Sequence, residues 1–243
     1  MEEDSGPYAT CPPYGSLTCT HRRTTPLTSP LTWPCTSGGC DTTSTTTLPE
    51  SVVLWDLDGV LCDVRPWHRQ ALRQALAPYS IVVSTEQEIE LEGLPTKVKL
   101  DRLYVPEHIR GAIAEEKQRL TLRLIHANAK PLANVVDTLV RLKLEGKRIG
   151  ICSNARRATV YTVIWRTGIA KYIDLVLSNE EAKIPKPDPC IYLMALSVMH
   201  IPASEAVVVE DHPVGVAAAV AAGIRCVQVN GPEEVSYQRL LEE

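Results

Sequence analysis

Five short apolar runs recur along the chain from residue 51 onward, and the segments between them show the spacing of amphipathic helices. Each run is only three to five residues long, which suits a buried strand and is too short for a helix. Buried strands that alternate with helices are typical of a parallel sheet with helices on both faces. The sequence therefore predicts an α/β fold with a doubly wound parallel sheet. The runs span residues 52–55, 148–152, 175–177, 206–209 and 226–229.

A long insertion separates the first run from the second. Its helical patterns lie near residues 66–77, 96–104 and 106–128. Pro131 then opens a further helix, which leads back to the second run. We therefore expect a core domain formed by two segments, with a small helical cap domain inserted between them. The predicted core comprises residues 51–64 and 131–243, and the predicted cap comprises residues 65–130.

The first fifty residues differ in composition from the rest. They contain thirteen Thr, seven Pro and five Ser, which is half of the segment, and almost no periodic apolar pattern. Such a segment cannot bury enough apolar surface to offset the entropy that is lost on ordering. We predict that residues 1–50 form a low-complexity extension that is disordered or loosely attached.

The eight cysteines fall into two groups of four. Those of the extension could hold a zinc ion, but their spacing contains no Cys-x-x-Cys pair, so zinc is not favoured. Those of the remaining chain lie in or beside apolar runs, as the reduced core thiols of a cytoplasmic protein do. The first group is Cys11, Cys19, Cys35 and Cys40, and the second is Cys62, Cys152, Cys190 and Cys226.

Charge and hydropathy argue against two classes of partner. The formal net charge of −4 and the pI near 5.9 give no basic field for a nucleic-acid backbone. No apolar run approaches the roughly 20 residues of a bilayer span, and the acidic start MEEDSG is unlike a secretory signal. We expect a cytoplasmic protein that binds a small anionic substrate, with neither nucleic acid nor a membrane as partner. Nothing in the sequence specifies an oligomeric state.

The first apolar run ends in two carboxylates and a glycine, Asp56, Asp58 and Gly59. Ligands of open parallel sheets bind outside the carboxyl ends of the strands, so these acids lie where a site is expected. Residues two apart on a strand share a face, and two like charges so close repel unless a cation or a shared proton relieves them. Asp and Gly are also ordinary turn formers, which is the alternative interpretation of this motif alone.

Three further strand ends carry polar groups that suit a phosphate or a metal. Ser153 and Asn154 follow the second run, Lys186 lies between two prolines, and Glu210 and Asp211 follow the fourth run. Taken singly, the serine could be a helix N-cap, the lysine a solvated loop residue, and the acids a complement to a helix dipole. A parallel sheet brings its strand ends to one edge, so the coincidence of four motifs favours a single site.

These ordered motifs resemble the haloacid dehalogenase superfamily, in its phosphatase and β-phosphoglucomutase-like branch with a small helical cap. The resemblance covers roughly residues 52–228, and the cap segment 92–97 resembles the substrate loop of that branch. One departure is Trp55, which lies where the family usually has Phe and should alter packing more than chemistry. The resemblance implies a Rossmann-like core and an enzyme that transfers phosphoryl groups.

The resemblance also implies a role for each motif residue. Asp56 would be the nucleophile that forms an aspartyl-phosphate, and Asp58 the acid that protonates the leaving oxygen and then activates water. Mg²⁺ would be the cofactor, since it prefers oxygen ligands. The implied Mg²⁺ ligands are Asp56, the main-chain carbonyl of Asp58, Glu210 and Asp211. The implied phosphate- and substrate-binding residues are Ser153, Asn154, Lys186, Thr96 and Lys97.

Three functions are compatible with these motifs. The favoured one is a phosphatase that hydrolyses a small phosphorylated metabolite, such as a sugar phosphate or a nucleotide-like compound. A phosphosugar mutase shares the core, but the loop Pro95-Thr96-Lys97 lacks the serine and arginine pair that we associate with the mutase. A non-catalytic module that binds a phosphorylated ligand is the third, and the complete set of catalytic residue types argues against it. Asp58 argues against a dehalogenase, which needs no second acid in the first motif.

Five residues near the motifs carry weaker expectations. Lys97, Lys99 and Arg102 lie on or near a helix by the cleft, where they either bind a second anionic or polar group or form a solvated helix face. His68 is predicted to be a surface or hinge residue. His212 is predicted to be an exposed loop residue, with contact to a bound substrate as the alternative.

Overall fold

The computed structural model describes residues 47–242. Five strands within this range form one parallel sheet in the order β3-β2-β1-β4-β5. The strands are β1 (Val52–Trp55), β2 (Arg148–Cys152), β3 (Leu175–Leu177), β4 (Ala206–Glu210) and β5 (Arg225–Gln228). The predicted parallel α/β fold is confirmed. The extension predicted at residues 1–50 lies outside the described residues, except for its last four.

The helices fall into an inserted group and a group that covers the sheet. The inserted group lies between β1 and β2 and comprises α1 (Arg65–Leu76), α2 (Thr85–Glu90), α3 (Thr96–Arg102) and α4 (Glu107–Asn128). The covering group comprises α5 (Ala133–Leu144), α6 (Arg157–Arg166), α7 (Cys190–Met199), α8 (Pro213–Ala221) and α9 (Tyr237–Leu241).

The side chains of β1 alternate between two apolar cores, because successive residues of a strand point to opposite faces. Val53 and Trp55 lie in one core together with residues of α5, α6 and α9. Val52 and Leu54 lie in the other core with residues of α7 and α8. Helices therefore cover both faces of the sheet, as the doubly wound prediction requires, and this explains why the strand sequences are continuously apolar.

The inserted helices bury a smaller apolar core of their own, which includes Leu76 of α1, Leu100 of α3 and Ile113 of α4. Helix α2 has no counterpart among the predicted helices, because none of its residues is buried and it shows no apolar stripe. A capping box between Ser84 and Gln87 satisfies its first backbone N–H groups instead. The division into a cap at 65–130 and a two-segment core stays a prediction. In the described part of the chain, no helix has both the length and the apolar character that crossing a bilayer requires.

Candidate active site

The carboxyl ends of the central strands open into one cavity between the sheet edge and the inserted helices. Adjacent strands are in register there, since Trp55 of β1 pairs with Ile151 of β2 and with Val209 of β4. All the predicted site residues except Lys97 line this cavity. They are Asp56, Asp58, Thr96, Ser153, Asn154, Lys186, Glu210 and Asp211.

Lys186 lies at the centre of a buried network of charges. Its Nζ donates hydrogen bonds to Asp56 Oδ1 at 2.7 Å, to Glu210 Oε1 at 2.6 Å and to the carbonyl oxygen of Cys152 at 2.7 Å. Burial alone would lower the pKa of Lys186, but the two carboxylates outweigh burial and raise that pKa above its usual value. The lysine is therefore a fixed cation, and the interpretation as a solvated loop residue is wrong because only 3% of the residue is exposed.

Glu210 is held in place from three sides. Its Oε1 also accepts a hydrogen bond from the hydroxyl of Tyr192 at 2.7 Å, and its Oε2 accepts one from the backbone N–H of Asp211 at 3.3 Å. A Cβ atom added at Gly215 of α8 would overlap with the Glu210 carboxylate, so only glycine lets the helix approach this closely. The sequence did not identify Tyr192 as a site residue, because its pattern there is that of an ordinary core residue of α7.

Asp56 is a buried carboxylate whose ionisation depends on nearby cations. Its Oδ2 accepts a hydrogen bond from the backbone N–H of Asp58 at 2.9 Å. Burial is the main cause that raises the pKa of Asp56 well above its usual value; Glu210 and Asp58 add to the rise and Lys186 opposes it. A divalent cation beside Asp56 would therefore stabilise the anionic form that a nucleophile requires.

Three carboxylates of the cavity fit the ligand preferences of Mg²⁺. One oxygen each from Asp56, Glu210 and Asp211 lies within 4.8 Å of the others, and an oxygen-only set suits a hard cation. Gly59, with φ of +91°, follows Asp58, and a Cβ there would overlap with the Asp211 carboxylate, so a side chain would obstruct the cluster.

Arg65 provides a cation beside the same cluster. Its Nη1 donates to Asp211 Oδ2 at 2.9 Å and its Nε to Asp63 Oδ1 at 2.7 Å. Burial and the charge of Glu210 nevertheless raise the pKa of Asp211 to about 7, because Arg65 offsets only part of their effect. The three carboxylates outnumber the two cations that pair with them, Lys186 and Arg65, so a divalent ion would favour their ionised forms.

His68 links the core acid Asp58 to the inserted helices. Its Nε2 lies 3.1 Å from Asp58 Oδ2, and its Nδ1 lies 3.0 Å from the Nζ of Lys117. An ammonium group only donates, so Nδ1 accepts from the lysine and Nε2–H donates to the carboxylate. Burial, the largest cause, raises the pKa of Asp58, but His68 together with the charges of Lys117 and Lys99 holds the net pKa below its usual value.

The prediction of His68 as a surface residue is wrong, since only 13% of its side chain is exposed, whereas the alternative of a hinge residue stays a prediction. A signal for its true position was present, because His68 precedes the buried residues Ala71 and Leu72 of α1 by three and four positions. Residues at that spacing share one face of a helix, which places His68 on the buried face.

The motif after β2 is arranged differently from a simple helix cap. Helix α6 begins only at Arg157, and its N-cap residue is Arg156, so the interpretation of Ser153 as an N-cap is wrong. The Ser153 hydroxyl accepts a hydrogen bond from the N–H of Ala155 at 3.1 Å, and its own hydrogen stays available to a ligand. Asn154 accepts a hydrogen bond from the backbone N–H of Lys186 at 3.0 Å, which fixes that loop.

The loop before α3 contacts the core at Gly93. The carbonyl of Gly93 accepts a hydrogen bond from Asn154 Nδ2 at 3.3 Å, and a Cβ at Gly93 would lie 3.0 Å from Nδ1 of His212. The same Nδ1 accepts from the N–H of Val214 and caps α8, so His212 is a half-buried residue of the cavity rather than an exposed loop residue. Lys97 is exposed and lies outside the cavity, whereas Lys99 of the same helix lines it.

Comparison with known proteins identifies the family. The family model described as haloacid dehalogenase-like hydrolase matches residues 53–229. The chain belongs to this family. Family membership makes it a hydrolase and confirms the resemblance that the four motifs indicated.

Known relatives fall within the branch that the motifs indicated. The chain is 27% identical to the phosphorylated carbohydrates phosphatase of Thermotoga maritima, across 71% of this chain and 81% of the relative. It is 28% identical to a fructose-1-phosphate phosphatase of Escherichia coli, across 73% of this chain and 95% of the relative. Among solved structures, a β-phosphoglucomutase from Clostridium difficile superimposes with a TM-score of 0.71 at 22% identity, covering 79% of this chain and 96% of that one. This last likeness supports the fold alone.

Proposed function

We propose that this protein is a Mg²⁺-dependent phosphatase that hydrolyses small phosphorylated metabolites through a covalent aspartyl-phosphate on Asp56. The observation that carries the proposal is the position of Lys186, whose ammonium binds Asp56 and Glu210 inside a cavity that Asp58 and Asp211 also line. A fixed cation beside a buried carboxylate reduces the repulsion between that carboxylate and an incoming phosphate. The phosphatase relatives from Thermotoga maritima and Escherichia coli support the same reaction class.

The proposed reaction has two displacements at phosphorus. In the first, a carboxylate oxygen of Asp56 attacks the phosphorus, the ester P–O bond breaks, and the leaving oxygen takes a proton from Asp58. In the second, Asp58 takes a proton from water, the water oxygen attacks the phosphorus, and the bond to Asp56 breaks. The products are an alcohol and inorganic phosphate, with both carboxyl groups returned to their starting states.

The remaining residues of the motifs orient and neutralise the phosphate. Ser153 and Asn154 lie at the end of β2, where the serine hydroxyl can donate to a phosphoryl oxygen and the asparagine holds the Lys186 loop. Asp56, the main-chain carbonyl of Asp58, Glu210 and Asp211 would hold the metal. When bound, Mg²⁺ supplies positive charge that stabilises the phosphate oxygens in the transition state.

Asp58 must be protonated when the leaving group departs, although His68 favours its charged form in the free protein. A phosphate dianion close to Asp58 raises the pKa of this carboxyl, because two neighbouring negative charges repel. Substrate binding therefore favours the protonated acid that the first displacement needs. His68 keeps the carboxyl oriented through its Nε2.

A phosphosugar mutase is the second candidate. A mutase would pass the phosphoryl group from Asp56 to a sugar hydroxyl rather than to water, and it would use the same carboxylates and the same cation. The fold shared with the β-phosphoglucomutase from Clostridium difficile is compatible with either reaction, so the products decide between them. We propose the cytoplasm as the compartment, in keeping with the free cysteines of the described residues.

The test is turnover by the full chain of p-nitrophenyl phosphate and of a panel of phosphorylated metabolites, with Mg²⁺ and with a chelator. Asp56→Asn should lower kcat by about a thousandfold or more, and the chelator should abolish turnover. Asp137→Asn, which alters an exposed carboxylate of α5, is the matched control and should leave kcat unchanged. Release of inorganic phosphate indicates a phosphatase, and an isomeric sugar phosphate indicates a mutase. Undiminished turnover by Asp56→Asn, or no turnover of any phosphate ester, would refute the proposal.

A further inference from the structure

Two lysines of the inserted helices face the cavity without a carboxylate partner. They are Lys99 of α3 and Lys117 of α4, and no carboxylate of residues 47–242 forms a salt bridge with either. The neighbouring arginines of the cavity differ, because each is paired with an acid. Arg65 pairs with Asp63 and Asp211, Arg69 with Glu92, and Arg156 with Glu115.

Most of the hydrogen-bonding capacity of these two lysines is unused. Lys117 gives one N–H to Nδ1 of His68, which leaves two of the three donors of an ammonium group. Lys99 makes no hydrogen bond with the described residues, so all three of its donors remain. Both side chains belong to the inserted helices that line the cavity around Asp56, and Lys117 is only 6% exposed.

Burial disfavours the charged form of both lysines in the ligand-free protein. Burial is the main cause that lowers the pKa of both, and in Lys117 the charge of Lys99 lowers it further, to about 7. A buried ammonium group is expensive unless an anion compensates it, and the charges of Asp58 and, for Lys99, of Glu92 offset only part of the effect of burial. Their placement is explained if the compensating anion arrives with the substrate.

We propose that Lys99 and Lys117 form a second anion subsite, which selects phosphate esters that carry another anionic group, either a carboxylate or a second phosphate. This inference rests on the proposed phosphatase function, in which Lys186 and the strand ends take the phosphate that is transferred. The two cap lysines bind the other end of the substrate from the opposite wall. Of the three basic residues considered from the sequence, only Lys99 contributes, since Lys97 and Arg102 are exposed and lie outside the cavity.

Binding to the Asp56→Asn protein tests the subsite without turnover. Isothermal titration in Mg²⁺ compares two matched ligand pairs, fructose 1-phosphate with fructose 1,6-bisphosphate and 2-hydroxyethyl phosphate with 2-phosphoglycolate. The member with the second anion should bind about tenfold or more tightly, because a charge-assisted hydrogen bond contributes at least that factor. The first pair reports on a phosphate as the second anion and the second pair on a carboxylate.

Variants in the Asp56→Asn background assign the effect to the lysines. Lys99→Met should remove most of the preference within a pair, and Lys99→Arg should restore much of it. Arg123→Met removes a positive charge from the exposed face of α4 and is the matched control, which should keep the preference. Lys99→Met should also raise the Tm of the ligand-free protein, because it removes a poorly solvated charge.

The outcomes separate this inference from the proposed function. Equal affinity within both pairs, or a preference that survives Lys99→Met, overturns the subsite while turnover of phosphate esters by the unaltered chain still supports the phosphatase. If the unaltered chain hydrolyses no phosphate ester and the Asp56→Asn protein binds no ligand of either pair, both proposals fall.

Discussion

The ring of His68 lies between Asp58, which follows β1, and Lys117 of the inserted helices, so one side chain joins the proposed catalytic carboxyl to that lysine. The two ring nitrogens have different partners, and this difference fixes the tautomer. A ring held in that way orients the carboxyl, whereas the ring itself does not touch the phosphorus in the proposed reaction. His68 is therefore a positioning residue.

We expect His68→Ala to slow the turnover of alkyl phosphates more than that of p-nitrophenyl phosphate. An alkoxide needs a proton as it leaves and p-nitrophenolate does not, so a misplaced Asp58 lowers mainly the rate of hydrolysis of the alkyl substrate. The expected loss in kcat is about tenfold or more for the alkyl substrate, with a smaller loss for the aryl substrate. Steady-state kinetics with both substrates at saturating Mg²⁺ measures the two losses.

His126→Ala is the matched control for this prediction, because His126 is an exposed histidine of α4. It should leave both rates unchanged. Equal losses on the two substrates in His68→Ala would show that the histidine acts through the structure alone, and would contradict the positioning role.

Single residues also show where sequence reasoning ends. The four motif clusters after β1, β2, β3 and β4 could be placed at one sheet edge, because strand direction alone brings them there. The sequence could not show whether Lys97 or Lys99 faces the cavity. Residues two apart on a helix point about 200° from each other, and which of them faces the cavity depends on how α3 packs against α4. Tyr192 could not be recognised either, because its hydroxyl partner Glu210 belongs to another element.

At the scale of elements, the contact between β4 and α8 fixes the position of Glu210 in the cluster of three carboxylates. Glu210 ends the strand, and Gly215 lies in the first part of the helix that follows, so closely that a methyl group would overlap with the carboxylate. Gly in a helix normally costs stability relative to Ala, by up to about 1 kcal/mol. Here the close approach reverses that preference.

We expect Gly215→Ala to destabilise the protein by about 1–3 kcal/mol, because the added methyl group overpacks a buried site. Displacement of Glu210 should also weaken Mg²⁺ binding by about tenfold or more. Urea unfolding and titration calorimetry measure the two effects. Gly111→Ala in α4 is the matched control, since nothing lies within 4 Å of an added Cβ there, and it should raise stability. Similar stability changes in the two variants would contradict the packing argument.

Elements differ in how far the sequence determines them. The strand β1 was predictable because both faces of the sheet are covered, so every residue of Val52–Trp55 is apolar and buried. Helix α2 was not predictable from periodicity, because it has no buried face and depends on a local cap at Ser84. Patterns of burial thus predict the elements that the cores require, and miss elements that local hydrogen bonds alone stabilise.

At the scale of the whole molecule, α4 joins the two groups of elements. Its Ile113 lies in the core of the inserted helices and its Ile125 in the main core beside the sheet. Gln118 of the same helix donates a hydrogen bond to Thr159 Oγ1 of α6 at 3.0 Å. A charge buried on α4, such as Lys117, should therefore affect the stability of the whole described fold rather than a local segment.

Lys117 should make the unfolding free energy depend on pH. Burial, followed by the charges of Lys99 and Arg156, lowers the pKa of Lys117 to about 7, while Asp58 opposes the shift and His68 accepts one N–H. Between about pH 7 and the unfolded value of 10.5, the unfolded chain holds a proton that the folded protein lacks. Stability due to this group therefore rises with pH across that window, by at most about 1.4 kcal/mol per pH unit.

We expect Lys117→Met to be most stable relative to the unaltered chain below pH 7, where the folded protein carries the full cost of the buried charge. This advantage should shrink steadily as the pH rises towards 10. Urea unfolding at pH 6, 7.5 and 9 measures it, and Arg123→Met is the control for removal of a positive charge from the exposed face of α4. Unfolding free energies that keep a constant offset between Lys117→Met and the unaltered chain would show that Lys117 stays charged in the folded protein. The cavity would then hold a compensating anion or enough water to solvate the ammonium group, and the wall formed by the inserted helices would be more polar than the described side chains indicate.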